Sequence, residues 1–160
     1  GYTSEINLAI TPWLQQLYAQ CEQCVALFID YGFDKKTYYH PERSQGTLMC
    51  HYQHLAHDDV FFYPGLQDLT THVDFSFVAE SAHEAKFTIE QYTTQADFLL
   101  AHEILKDQQV DEIAQYQQAQ ALKRLLLPSE MGESFKVLAI SKNYPDLLEN
   151  FCLRDMRGAL

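Results

Sequence analysis

The sequence predicts an α/β fold with a sheet that is short of strands, and three observations carry that expectation. Segments of helical and strand period alternate along the chain. A continuous apolar run, Val25–Ile29, ends in Asp30-Tyr31-Gly32, as a buried parallel strand does where it meets a loop at its C-terminal end. Only two further strand patterns follow, over residues 87–92 and 134–140, so about three core strands with flanking helices are available. So narrow a sheet leaves an edge open and reads as the second half of a doubly wound sheet. The expected organisation is one partial domain over residues 1–160, with an insertion at 31–72 and the N-terminal half outside this chain.

Taken in order, Thr11-Pro12 reads as a helix N-cap followed by proline in the first turn. Trp13, Leu14, Leu17 and Tyr18 then recur at helical spacing and should face a core. After the apolar strand, residues 30–75 show little sustained periodicity yet hold five of the seven histidines (His40, His51, His54, His57 and His72). A segment this long and this aromatic is neither a tight connection nor a disordered linker, and it reads as the working surface. Asp74 can cap a helix from Phe75 to about Ala85, with Phe75, Val78, Ala79, Ala82 and Ala85 turned inward. Phe87–Tyr92 alternates as a half-buried strand. A short helix over Ala96–Leu105 and a longer one over Asp111–Leu127, stopped by Pro128, precede the last strand, Ser134–Ile140. The tail after Tyr144-Pro145 carries no clear pattern.

Composition bounds the function. A chain of 160 residues with 47% hydrophobic content can build one core. Its net charge of −11 and scattered basic residues argue against nucleic-acid binding. No apolar run reaches the length of a membrane span. The four cysteines form no disulfide framework and no leader pattern is present, which points to a reducing, cytoplasmic setting. Cys21-Glu-Gln-Cys24 has the spacing of a redox or zinc pair, but no second such pair accompanies it.

Three groups of residues permit chemistry. His51, His54, His57, Asp58 and Asp59 offer imidazole and carboxylate ligands, although an i, i+3, i+6 run drifts around a helix. Polar surface histidines are the simpler reading, and no metal is assigned. Asp30, Asp68, Thr70, His72 and Asp74 could orient a cationic or amide nitrogen and take a proton near neutral pH. Helix capping and turn stabilisation are the simpler account of Asp68, Thr70 and Asp74, and a plain cap is the favoured reading of Asp74. Third, Glu130 and Glu133 flank Gly132, which can supply a positive φ between a helix and a strand.

The chain also resembles the MidA-like S-adenosylmethionine-dependent methyltransferases, among them the mitochondrial factor that methylates an arginine on a complex I subunit. The matching residues are Tyr2-Thr-Ser-Glu-Ile6, Ile29-Asp-Tyr-Gly32, Tyr38-Tyr-His-Pro41, Arg43-Ser-Gln-Gly-Thr-Leu48 and Cys50-His51-Tyr52 with His54. They continue through Pro64-Gly-Leu-Gln-Asp68, His72-Val-Asp-Phe75, Thr94-Gln95, Phe98-Leu99, Glu130-Met-Gly-Glu133 and Phe135-Lys-Val137. The resemblance implies the C-terminal half of a class I, Rossmann-like methyltransferase fold and a protein arginine substrate. The cofactor is held mainly by a Gly-rich turn in the other half, and no GxGxxG array occurs among the six glycines here. It further implies that Asp68, His72 and Asp74 orient the methyl acceptor. Asp30, Tyr31, Gly32, His51, His54, Thr70, Glu130 and Glu133 would bind substrate. S-adenosylmethionine would bind this piece weakly or not at all. A stand-alone protein-interaction domain without catalysis is the alternative. An orphaned strand edge also leads to an expectation of self-association.

Overall fold

A computed structural model describes residues 1–102, 104, 112–144 and 152–160, with backbone alone for 112–115. Helix α1 (Ile10–Gln20) leads into strand β1 (Cys24–Phe33) and the short helix α2 (Lys35–Tyr38). A small lobe follows, made of β2 (Met49–Tyr52), β3 (Leu55–His57) and β4 (Asp68–Thr70). The chain returns through β5 (Val73–Asp74) to α3 (Phe75–Glu84), β6 (Thr88–Thr94) and α4 (Gln95–Ala101). Helices α5 (Glu112–Leu126) and α6 (Met131–Ser134) precede the last strand, β7 (Phe135–Lys142). Leu105, Asp111 and Pro145, where the sequence places helix ends and the start of the tail, lie outside the described residues.

The main sheet has the order β5-β1-β7-β6. Strands β1 and β6 both run antiparallel to the central β7, and β5 joins β1 in parallel only at Gly32 and Phe33. The parallel, fully buried reading of Val25–Ile29 is therefore corrected. Ala26 and Phe28 pack into the core beneath α1 and α3, while Val25, Leu27 and Ile29 lie on the other face, 39%, 46% and 47% exposed. The strand that is buried on both faces is β7. Its Leu138 and Ile140 join the main core, and Val137 and Ala139 pack against Phe98 and Cys152.

The core follows the helical spacing closely. On α3, Phe75, Val78, Ala79 and Ala82 are buried, with Ala85 just beyond the helix, and they meet Leu14, Phe87 and Tyr92. Asp74 caps this helix by accepting from the Phe77 N–H at 3.0 Å. Thr94 does the same for α4 at the Asp97 N–H, 3.1 Å.

Three local expectations are corrected. Helix α1 begins at Ile10, so Thr11 lies inside its first turn, where its hydroxyl hydrogen-bonds Ser81 at 2.8 Å rather than capping. Trp13 remains 48% exposed and only its edge meets Phe28, because Leu14 occupies the inward position. Gly132 has no positive φ. It is required because a Cβ there would lie 2.2 Å from the Leu126 carbonyl oxygen.

Candidate functional site

A cavity of about 240 Å³ opens where the N-terminal segment, α2 and the start of α3 meet, and Glu5, Tyr38, Tyr39, His72 and Asp74 contribute polar atoms to its wall. Its walls come from segments far apart in sequence, joined by one carboxylate. Glu5 Oε1 accepts from the Leu48 N–H at 2.9 Å, and Oε2 accepts from the Thr47 N–H at 3.0 Å and the Thr47 hydroxyl at 3.3 Å. The Tyr38 hydroxyl reaches the same Oε2 at 3.5 Å. Gly46 makes this wrap possible. Its φ is +79°, and a Cβ there would stand 2.2 Å from the Glu5 carboxylate. Burial would raise the Glu5 carboxyl, but the Thr47 and Leu48 backbone donors outweigh it and hold it below its ordinary value.

His72 is fixed from several sides. Its backbone N–H donates to the Thr47 hydroxyl at 3.1 Å. Its ring stacks on Phe33 at 5.0 Å between centroids and meets Tyr31 edge to face at 5.1 Å. Phe33 also carries the Arg43 guanidinium 4.2 Å from its centroid. Burial first, and then the Arg43 charge, lower the imidazole below its ordinary value, with Asp30 and Glu5 opposing. A neutral ring follows near pH 7, and its buried Nδ1 has no hydrogen-bond partner among the described residues. Tyr39 is pushed up to about 12 by burial and by Asp74 beside it. Tyr38, at van der Waals range from Tyr39, is likewise raised, chiefly by burial.

The residues singled out from sequence are distributed unevenly. His72 and Asp74 line the cavity, and Tyr31 and Asp30 act on His72 from β1. Gly32 sits where a Cβ would lie 2.2 Å from the Val73 carbonyl oxygen, so it permits the β1–β5 pairing. Asp68 lies on the lobe as the direct cross-strand neighbour of His51, and Thr70 pairs with Met49. His54 occupies the β2–β3 turn at φ 67°. Because side chains alternate along a strand, His51 and His57 lie on opposite faces of the lobe sheet, against their joint service as metal ligands. Among the described residues no three His, Cys, Asp or Glu side chains are grouped to hold a metal. Glu133 pairs with Arg154 at 3.2 Å, and neither it nor Glu130 lines this cavity. Cys21 and Cys24 are free, and burial, followed by Cys21 itself, raises Cys24 above an ordinary thiol.

Glu5, Tyr38, Tyr39 and the Gly46-Thr47 turn belong to the site although no chemical pattern in the sequence marks them as site residues. Their signal was present in Tyr2-Thr-Ser-Glu-Ile6 and Gly46-Thr-Leu48, but nothing local joins Glu5 to a loop more than forty residues away.

A family profile described as "Putative S-adenosyl-L-methionine-dependent methyltransferase" matches residues 1–93. An uncharacterised protein from Burkholderia thailandensis superposes with a TM-score of 0.90 at 42% identity, over 100% of this chain and 44% of its own. A second protein from the same organism is described as a "likely methyl transferase" bound to S-adenosyl-homocysteine. It superposes with a TM-score of 0.89 at 41% identity, over 100% of this chain and 42% of its own. The chain thus spans less than half the length of these solved relatives. No curated protein matches.

Proposed function

Because the chain belongs to the S-adenosyl-L-methionine-dependent methyltransferase family whose profile it matches, we propose that it is the substrate-side half of a protein methyltransferase acting on arginine. The observation that carries this reading is the cavity itself. Two carboxylates, Glu5 and Asp74, stand beside two tyrosines and a neutral imidazole, a lining suited to a planar guanidinium. Both carboxylates are held by backbone donors, so their charges are positioned before an acceptor arrives. The neutral His72 ring in the cavity wall is the group that would take the proton that the acceptor nitrogen gives up. Tyr31 and Asp30 set the ring's position and charge. Asp68, His51, His54 and Thr70 contact substrate farther out, on the lobe, and Glu130 and Glu133 sit on another part of the surface.

The cofactor of the complete enzyme is S-adenosylmethionine, which supplies the methyl group. The residues of this chain do not make its main grip. Of the glycines, only Gly46 and Gly65 take positive φ, and neither joins a strand to a helix. On this reading the chain alone is inactive and binds the cofactor weakly or not at all. Free cysteines agree with a cytoplasmic setting, and among the described residues no helix is long and apolar enough to cross a membrane. The exposed row Val25, Leu27 and Ile29 on a strand paired along one side through Ile29 favours self-association of the chain.

Nuclear magnetic resonance titration with arginine methyl ester tests the reading without the cofactor. Shifts confined to His72, Tyr38 and Tyr39, and lost in Asp74→Asn, are expected. Shifts that survive Asp74→Asn and Glu5→Gln together would remove the acceptor site from this cavity.

A further inference from the structure

The β2–β4 lobe exposes more apolar surface than its own folding explains. Strand alternation puts Cys50, Tyr52, Leu55, His57 and Leu69 on one face. An arm, residues 59–67, folds back over part of that face. Phe62 and Tyr63 meet Tyr52 at 6.1 and 5.1 Å, and Phe62 meets His57 at 5.2 Å. The arm is held in shape rather than hanging free. Asp59 Oδ1 accepts from the Phe61 N–H at 2.9 Å, and the Gln67 amide donates to the Val60 carbonyl at 2.9 Å. Yet Phe61 is 82% exposed, and Leu55 and Leu66 are each 71% exposed. A groove of about 420 Å³ opens on this face, lined by Tyr52, Leu55, Ala56, His57, Asp59 and Phe62. Preorganised aromatic surface of this kind marks a recognition site.

Charge selects the occupant. No Lys or Arg occurs between Arg43 and Lys86, whereas Asp58 and Asp59 are exposed where the arm leaves the lobe sheet and Asp59 lines the groove; Asp68 is on the opposite face, beside His51. A second copy would bring the same two aspartates against these, and an anionic membrane surface would be repelled as well. A segment rich in arginine suits both features, since guanidinium groups stack on aromatic rings and pair with carboxylates. The lobe is also well placed. Strand β4 ends at Thr70, and His72 in the cavity wall lies three residues after Leu69, at most about 10 Å along the chain.

We propose that this lobe is the docking surface for an arginine-containing, basic peptide segment of the protein substrate. The inference deepens the methyltransferase reading and rests on it for the identity of the substrate. Binding to the lobe is nevertheless measurable without methyl transfer. Fluorescence anisotropy of a labelled peptide of Arg-Gly-Gly repeats, added to the 160-residue chain, is the test. The same peptide with citrulline at each arginine is the control. Expected results are binding of the arginine peptide, loss with citrulline, a steep fall with added salt, and at least tenfold weakening in Phe61→Ser/Leu66→Ser. The charge-only variant Asp58→Asn/Asp59→Asn should weaken binding similarly while keeping the fold, since asparagine still accepts from the Phe61 N–H. Equal binding of both peptides, or binding undiminished in the charge variant, overturns the proposal. So does a lobe that binds phosphatidylglycerol vesicles in preference, or one whose substitution abolishes self-association. A docking result that holds while arginine methyl ester leaves His72 unmoved separates failure of the cavity reading from failure of this one.

Discussion

The sheet body and the β2–β4 lobe are built from similar fractions of apolar residues and spend them in opposite ways. In the body, Leu14, Phe75, Tyr92, Leu138 and Ile140 are all fully buried. In the lobe strands only Cys50 is buried, and the apolar side chains of Leu55, Leu69 and Phe61 face outward. Burial holds the body together, each large side chain contributing about 1.5–3 kcal/mol. The lobe relies on a hairpin, side-chain bonds to the arm's backbone and ring-to-ring contacts, which specify a shape while adding less stability. A region stabilised this way is free to present its apolar surface to something else. Glu5 and Gly46 join the two regions, because the loop that enters the lobe is the one wrapped round the Glu5 carboxylate.

The largest effect that would sharpen this contrast is a cavity in the body. Phe75→Ala should cost about 3–5 kcal/mol in chemical denaturation. Phe62→Ala in the lobe should cost no more than about 1.5 kcal/mol. Equal losses would break the comparison. At the junction, Gly46→Ala imposes both a positive φ and a clash with Glu5, and should cost about 1–3 kcal/mol by the same measurement.

Acid stability offers a finer probe. Glu5 has a folded pKa below its ordinary 4.5, so the unfolded chain binds its proton more readily. Its contribution is present above pH 4.5 and fades as pH falls through the folded value, and Glu5→Gln should flatten that part of the stability curve. His72, lowered from 6.5, has the same sign. It favours the fold above pH 6.5, and this contribution declines as acid protonates the ring, so its resonances should titrate below 6.5. An ordinary titration at His72 would mean that the cavity is open to water. The smallest change expected in stability is Leu27→Lys on the exposed face of β1. It should leave the melting curve nearly unmoved while converting self-association to monomer in light scattering.

Local patterns in the chain determined the elements and the helical core face. Phe75, Val78, Ala79 and Ala82 recur with the helical period, Asp74 caps them, and the number of long strands follows from the apolar runs. Such features depend on neighbours within about four residues, and a sequence prints them directly. The apolar run Val25–Ile29 shows the boundary of that legibility. Its strand state was evident, but whether one face or two would be covered depends on what α4 and residue Cys152 reach, and they reach β7 instead. The lobe was illegible for a related reason, since strands of three or four residues repeat their period too few times to be seen. Tertiary structure alone decided the site. It brought Glu5 to Thr47 and Leu48, set His72 between Phe33 and Tyr31, and moved Asp68 away to pair with His51. Those meetings join residues far apart along the chain, and only the closing of loops around a finished core brings such groups within hydrogen-bond range.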